Sequence, residues 1–214
     1  MPRRSYAKGL AKREEILTTA LDVIATHGFN GATLRDLAEA SGLSITGLVH
    51  HFGTKEELFI EVLRRRDELT VNVGQFTDDG HATTASIIGE LDRLVTHNAS
   101  HPGLIELYSN LSVDAAHPDH PGHEYFRERY TQGREIGADA LRRLQIAGDI
   151  PVDIDVAELS TLITAAVDGL QILSLYDESL DMTRSLDALG ALIARAAAAP
   201  APAAADDAAS SDIG

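Results

Sequence analysis

Residues 33–52, Thr-Leu-Arg-Asp-Leu-Ala-Glu-Ala-Ser-Gly-Leu-Ser-Ile-Thr-Gly-Leu-Val-His-His-Phe, read as two short helices joined by a tight turn. Thr33 offers a hydroxyl to cap the first helix, and Leu34, Leu37 and Ala38 recur at helical spacing. Ser41-Gly42-Leu43 interrupts that pattern: Gly42 tolerates the left-handed conformation a sharp turn needs, and the methyl group of Ala38 lets the two helices cross closely. Ser44 caps the second helix, in which Ile45, Leu48 and Phe52 are expected to face inward. Thr46, Gly47, His50 and His51 are then left to point outward toward a DNA groove. Each feature alone also suits an ordinary joint between bundle helices. All of them in one register favour a helix-turn-helix.

The net charge of -15 argues on its face against nucleic acid, whose phosphates need a positive partner. The distribution reverses that reading. Residues 1–66 carry ten Lys and Arg against eight Asp and Glu, a balance of +2, whereas residues 67–214 carry eight against 25, or -17. Arg3, Arg4, Lys8, Lys12 and Arg13 precede the first acid, Glu14, which suits either an arm lying along DNA or a merely solvated terminus. Arg64, Arg65 and Arg66 fall about three turns into a later helix and are expected to solvate it or to pair with acids.

The stretch from Arg13 to Phe59 resembles the DNA-binding domain of the TetR family of transcriptional regulators. Three pieces carry the resemblance: Arg13-Glu14-Glu15-Ile16-Leu17 opening a helix that closes at Thr26-His27-Gly28-Phe29, the helix-turn-helix itself, and His51-Phe52-Gly53-Thr54-Lys55-Glu56-Glu57-Leu58 opening a fourth helix. It implies an all-α chain of about nine helices, with a three-helix DNA-binding domain over 1–53 and a dimerising, ligand-binding helical domain over 54–198. It also implies phosphate contacts from Thr33 and Lys55, and base reading from Ser44, Thr46, Gly47, His50 and His51. Two departures stand out. Val49 replaces the family's usual phosphate-contacting tyrosine, and the usual Gly-Thr pair reads Thr46-Gly47. The function implied is a regulator, most simply a repressor released from a palindromic operator by a small-molecule effector.

Composition closes several other routes. With 44% apolar residues in 214, the chain can bury a sizeable core, and the absence of cysteine removes disulfides and thiolate metal sites. No cofactor is expected. No apolar run is expected to span a bilayer, and the basic N-terminus leads into an amphipathic helix rather than a signal core, which fits a cytoplasmic protein without a membrane partner.

Beyond the fourth helix, breaks at Pro, Gly and Asp separate helical patterns near 82–100, 103–116, 121–147, 153–177 and 183–198. Residues 199–214, rich in Ala, Pro, Ser and Asp, read as a disordered tail. The eighth helix carries two apolar faces. Val156, Leu159, Ile163, Ala166, Leu170 and Leu173 lie on one, and Leu162, Ala165, Gly169 and Ile172 on the other. One face needs the body of the subunit and the other a second copy. The expected homodimer interface is Leu159, Ile163, Ala166 and Leu170 with Leu186, Leu189 and Ile193 of the ninth helix.

An effector pocket is expected inside the C-terminal bundle, with Tyr108, Asn110, Tyr125, Tyr130 and Gln171 as the polar groups able to orient a mostly uncharged ligand. His117, Asp119, His120, His123 and Glu124 form a rival cluster that could hold a divalent metal, the alternative being a metal-dependent helical enzyme. Pro118 and Pro121 instead make that stretch a joint between helices, so no catalytic residue and no metal site are assigned.

Overall fold

The protein is described here from a computed structural model covering residues 2–70 and 83–198, with side chains over 9–69 and 83–195. Residues 199–214, and the side chains of Arg3, Arg4 and Lys8, lie outside the described residues. Among the described residues all regular structure is α-helix, in nine helices: α1 (Pro2–Gly31), α2 (Leu34–Ala40), α3 (Ile45–Phe52), α4 (Lys55–Thr70), α5 (Thr84–Ala99), α6 (Pro102–Asp114), α7 (His123–Ala147), α8 (Val156–Ser174) and α9 (Met182–Ala198).

Local chemistry sets the boundaries in the N-terminal part. Gly28 departs from helical geometry near the end of α1, at φ 73 and ψ 172. Thr33 caps α2 in a capping box with Asp36. Gly42 adopts the expected left-handed conformation at φ 66, and Ser44 caps α3. At the start of α4, Thr54 and Glu57 exchange bonds: the Glu57 amide donates to Thr54 Oγ1 at 3.1 Å, and the Thr54 amide donates to Glu57 Oε2 at 2.7 Å.

One buried cluster runs without a break from α1 to α4 into α6 and α7. It includes Ile16, Ile24, Leu37, Leu48, Leu58, Phe59, Leu63, Leu107 and Phe126. Beside it, α7 packs on α8 and α5 on α9, around a second cluster with Leu141, Leu144 and Ile193 and a third with Val95, Val167 and Leu186. The first four helices are therefore joined to the bundle by a continuous core rather than tethered to it.

The packing of α8 and α9 differs from the expected interface. Leu186 and Ile193 are buried within the subunit, Leu159, Ile163 and Leu189 pack on the second cluster, Leu170 packs on the third, and Ala166 is half-buried. Six of those seven residues, all but Ala166, serve the subunit's own core. The adjoining face is the one left outside, with Leu162 at 65% and Leu192 of α9 at 62% exposure, and Leu173, expected on the first face, turns out with it at 55%. Periodicity shows that α8 has two apolar faces but does not say which turns inward. Helix α8 is also long and apolar enough to cross a membrane by length and mean hydropathy, 1.4, which corrects the expectation that no such run exists. Only 17% of that span is buried within the subunit.

Candidate nucleic-acid interface

Helix α3 is built on Leu48 and Phe52, which turn into the core, while Thr46 and His50 are exposed and Gly47 and His51 half-buried. Ser44 is exposed, and its Oγ accepts the Gly47 amide at 3.0 Å, so this residue serves as the cap at the tip of the helix. Ile45 corrects the expected pattern. It is the first residue of α3, at the rim of the core, and stays 44% exposed, with Val49 one turn on at 41%.

Thr33 is exposed at the N-terminus of α2, but its amide donates to Asp36 Oδ2 at 3.0 Å and its hydroxyl also donates to that carboxylate. Those bonds hold the Asp36 carboxyl below the usual carboxylate range. A phosphate contact from Thr33 Oγ1 would require its hydroxyl to turn away from Asp36. Lys55 opens α4 with its Nζ 5.0 Å from the Phe59 ring centroid and 5.5 Å from that of Phe29. Among the described residues, no carboxylate pairs with it.

Lys12 and Arg13 are tied into the fold, whereas Arg35 of α2 stays exposed. Lys12 Nζ donates to the Ser41 carbonyl at 3.1 Å, and Arg13 pairs with Glu61 at 2.7 Å while stacking 4.6 Å from the Phe52 ring. Arg64, Arg65 and Arg66 pair with Glu61, with Glu14 and Glu68, and with Asp67, the second of the two alternatives expected for them.

In the bundle, three of the five expected pocket residues meet. Tyr125 Oη donates to Asp67 Oδ2 at 2.6 Å, Arg129 Nε donates to the same oxygen at 3.0 Å, Arg129 Nη1 donates to Tyr108 Oη at 3.0 Å, and Tyr130 Oη donates to Asp168 Oδ2 at 2.7 Å. This web links α4, α6, α7 and α8. It is charged, although the sequence led to the expectation of a mostly uncharged ligand there. Asn110 and Gln171 stand apart: Asn110 is exposed and donates to the Glu106 carbonyl, and Gln171 is buried and accepts from Asn98. Asn110 also lines an open groove of about 750 Å³ between the end of α1, α6 and the end of α8.

Within the web the two carboxylates respond in opposite senses. Burial pushes the Asp67 carboxyl up, but the guanidinium charges of Arg129 and Arg66, with the Tyr125 bond, outweigh it and leave it below its ordinary value. Burial pushes Asp168 up, and the Tyr130 bond and the arginines do not offset it. A raised folded-state pKa contributes stability that is fully present below the unfolded aspartate value, about 3.9, and is lost as pH rises through the folded value. Asp168→Asn keeps an acceptor for Tyr130 and removes that loss. The variant is expected to be more stable than the parent at pH 8 in urea titrations, by a margin that shrinks at pH 4.5; a margin independent of pH would contradict the assignment.

The histidine cluster is used locally. His123 Nδ1 lies 2.8 Å from the Ala115 carbonyl, His120 Nδ1 accepts the Gly122 amide at 3.0 Å, His117 Nδ1 accepts the Asp119 amide at 3.3 Å, and Glu124 pairs with Arg127. Among the described residues, no group of three His, Asp or Glu side chains is placed to hold a metal ion.

Comparison with known proteins follows the same lines. A family profile described as bacterial regulatory proteins, tetR family, matches residues 16–62, from the middle of α1 into α4. The transcriptional repressor AcnR of Corynebacterium jeikeium is 37% identical over 181 residues, covering 79% of this chain and 85% of that protein. A TetR transcription regulator from Haloarcula marismortui superposes with a TM-score of 0.71 at 16% identity, over 87% of this chain and 97% of its own. FadR from Bacillus subtilis, solved in complex with stearoyl-CoA, gives 0.67 at 16% identity, over 85% and 97%. At those identities the two solved structures speak for the shared fold.

Proposed function

The chain belongs to the TetR family of bacterial regulatory proteins, and from that premise we propose that it is a cytoplasmic repressor, binding a palindromic operator as a homodimer and released by a small-molecule effector. The observation that carries the reading is α3, which exposes Thr46 and His50 over the buried Leu48 and Phe52, with Lys55 following at the head of α4. In this arrangement Thr46, Gly47, His50 and His51 meet base edges, Ser44 and Thr33 hold the helix ends near the backbone, and Lys55 swings from its aromatic seat to a phosphate. Residues 1–53 act as the reader and 54–198 as the body that pairs and senses. Repression is taken from the name of the Corynebacterium relative.

The second copy covers the outer face of α8 and α9. Leu162, Ala165 and Leu173 with Ala188 and Leu192 form an apolar strip that a monomer would leave in water, and two reading heads then address half-sites about one DNA turn apart. The effector acts where α4 meets the bundle, by exchanging the contacts of Tyr108, Tyr125 and Tyr130 with Asp67 and Arg129. It shifts the population of head positions only by binding the DNA-incompetent one more tightly.

Lys55→Ala tests the docking. It is expected to weaken binding to all duplexes alike and to reduce the slope of log affinity against log salt by about one, in titrations of labelled DNA at several salt concentrations. An unchanged slope removes Lys55 from the phosphate contacts, and a loss confined to one sequence would make it a base reader instead.

A further inference from the structure

Resting on this reading of α3 as the DNA reader, we propose that Ile45 and Val49 form an apolar row that selects thymines by packing against their 5-methyl groups. At 100° per residue, Ile45 and Val49 lie along one edge of the exposed face of α3, with Thr46 and His50 along the other. The polar row can exchange hydrogen bonds with base edges. The apolar row can neither donate nor accept from its side chains, yet it stays 44% and 41% exposed on the same helix that buries Leu48 and Phe52.

The major groove offers a row of this kind one apolar group that stands out from the base edge, the thymine methyl; apart from the small C5–H of cytosine, the other edges there are donors or acceptors that Ile45 or Val49 would strip of water without replacing their bonds. The two side chains are separated by four residues, about 6 Å of helix rise, which matches about two base-pair steps. Each half-site therefore carries two thymines within about two steps of one another. Val49 stands where the resemblance leads one to expect a tyrosine on a phosphate, so the substitution moves this position from holding the backbone to reading a base.

The test uses the full chain and the operator recovered from a random duplex pool. Each thymine of a half-site is replaced in turn by deoxyuridine, which keeps every hydrogen-bonding group and removes only the methyl. Two replacements per half-site are expected to weaken binding of the parent protein about three- to fivefold each, the size of burying one methyl group. The effect should vanish at one position in Ile45→Ala and at the other in Val49→Ala. Parent protein that discriminates sequences but ignores every deoxyuridine overturns the thymine assignment while leaving the operator reading intact. Protein that enriches no sequence overturns the operator reading itself.

Discussion

Replacing Leu162 and Leu192 together by aspartate is expected to yield folded monomers whose affinity for a two-half-site operator falls by about 10²–10⁴-fold. Both side chains are mostly exposed in the subunit, at 65% and 62%, so charge there leaves the fold intact. In the dimer the same carboxylates would be buried against apolar neighbours and like charges, a cost no partner repays. The loss in DNA binding follows from geometry: once one head is seated, the second binds at a high effective concentration, and separating the heads forfeits that factor without touching a base contact. Light scattering that returns a dimer, with operator affinity unchanged, would move the interface elsewhere. The same change at the buried Leu186 would instead unfold the chain.

Gly103→Ala is expected to cost about 3 kcal/mol, near the upper end for overpacking, and to lower the melting temperature by about 6–12 °C for a chain of this size. A Cβ at this position in α6 would stand 2.2 Å from the Ile24 carbonyl and 2.9 Å from Gly28 Cα. Both are backbone atoms of α1 and cannot swing aside. Nearby, Glu106 accepts the Phe29 amide at 3.0 Å and the Asn30 side chain at 2.7 Å, so pushing α6 from α1 also strips the cap at the end of α1. Gly133→Ala, in α7 with nothing within 4 Å of the added atom, should stabilise by about 0.5–1 kcal/mol. A melting temperature unchanged by Gly103→Ala would mean that α1 and α6 are not locked together.

The helix-turn-helix is legible from residues alone because its requirements are local. Thr33, Ser44 and Gly42 each act on backbone within four residues, and they sit in the structure as their chemistry demands. What depends on distant chain is less visible. The two apolar faces of α8 are nearly equal in sequence, and only the placement of α7, α9 and their side chains decides that Leu159, Ile163 and Leu170 turn inward and Leu162 outward. Their half-polar side chains on apolar helices pointed to Tyr108, Tyr125 and Tyr130 but not to the charges they meet. Asp168, an acid inside an apolar stripe of α8, was the available signal that a polar web crosses the bundle there.

The web bears on how the head is held. Asp67 belongs to α4, the helix that continues from the reading head, and its two bonds from α7 fix the far end of that helix. The Gly103 contact and the Glu106 cap fix α1 against α6. Two attachments on different helices mean that a ligand which loosens one without the other tilts the head rather than releasing it.

The measurement that bears most directly on this account is selection of bound sequences from a random duplex pool by the full chain at two salt concentrations. Enrichment of a palindrome with half-sites about one turn apart is the predicted result. Recovery of no preferred sequence at either salt would contradict it, leaving the exposed face of α3 without the role assigned to it.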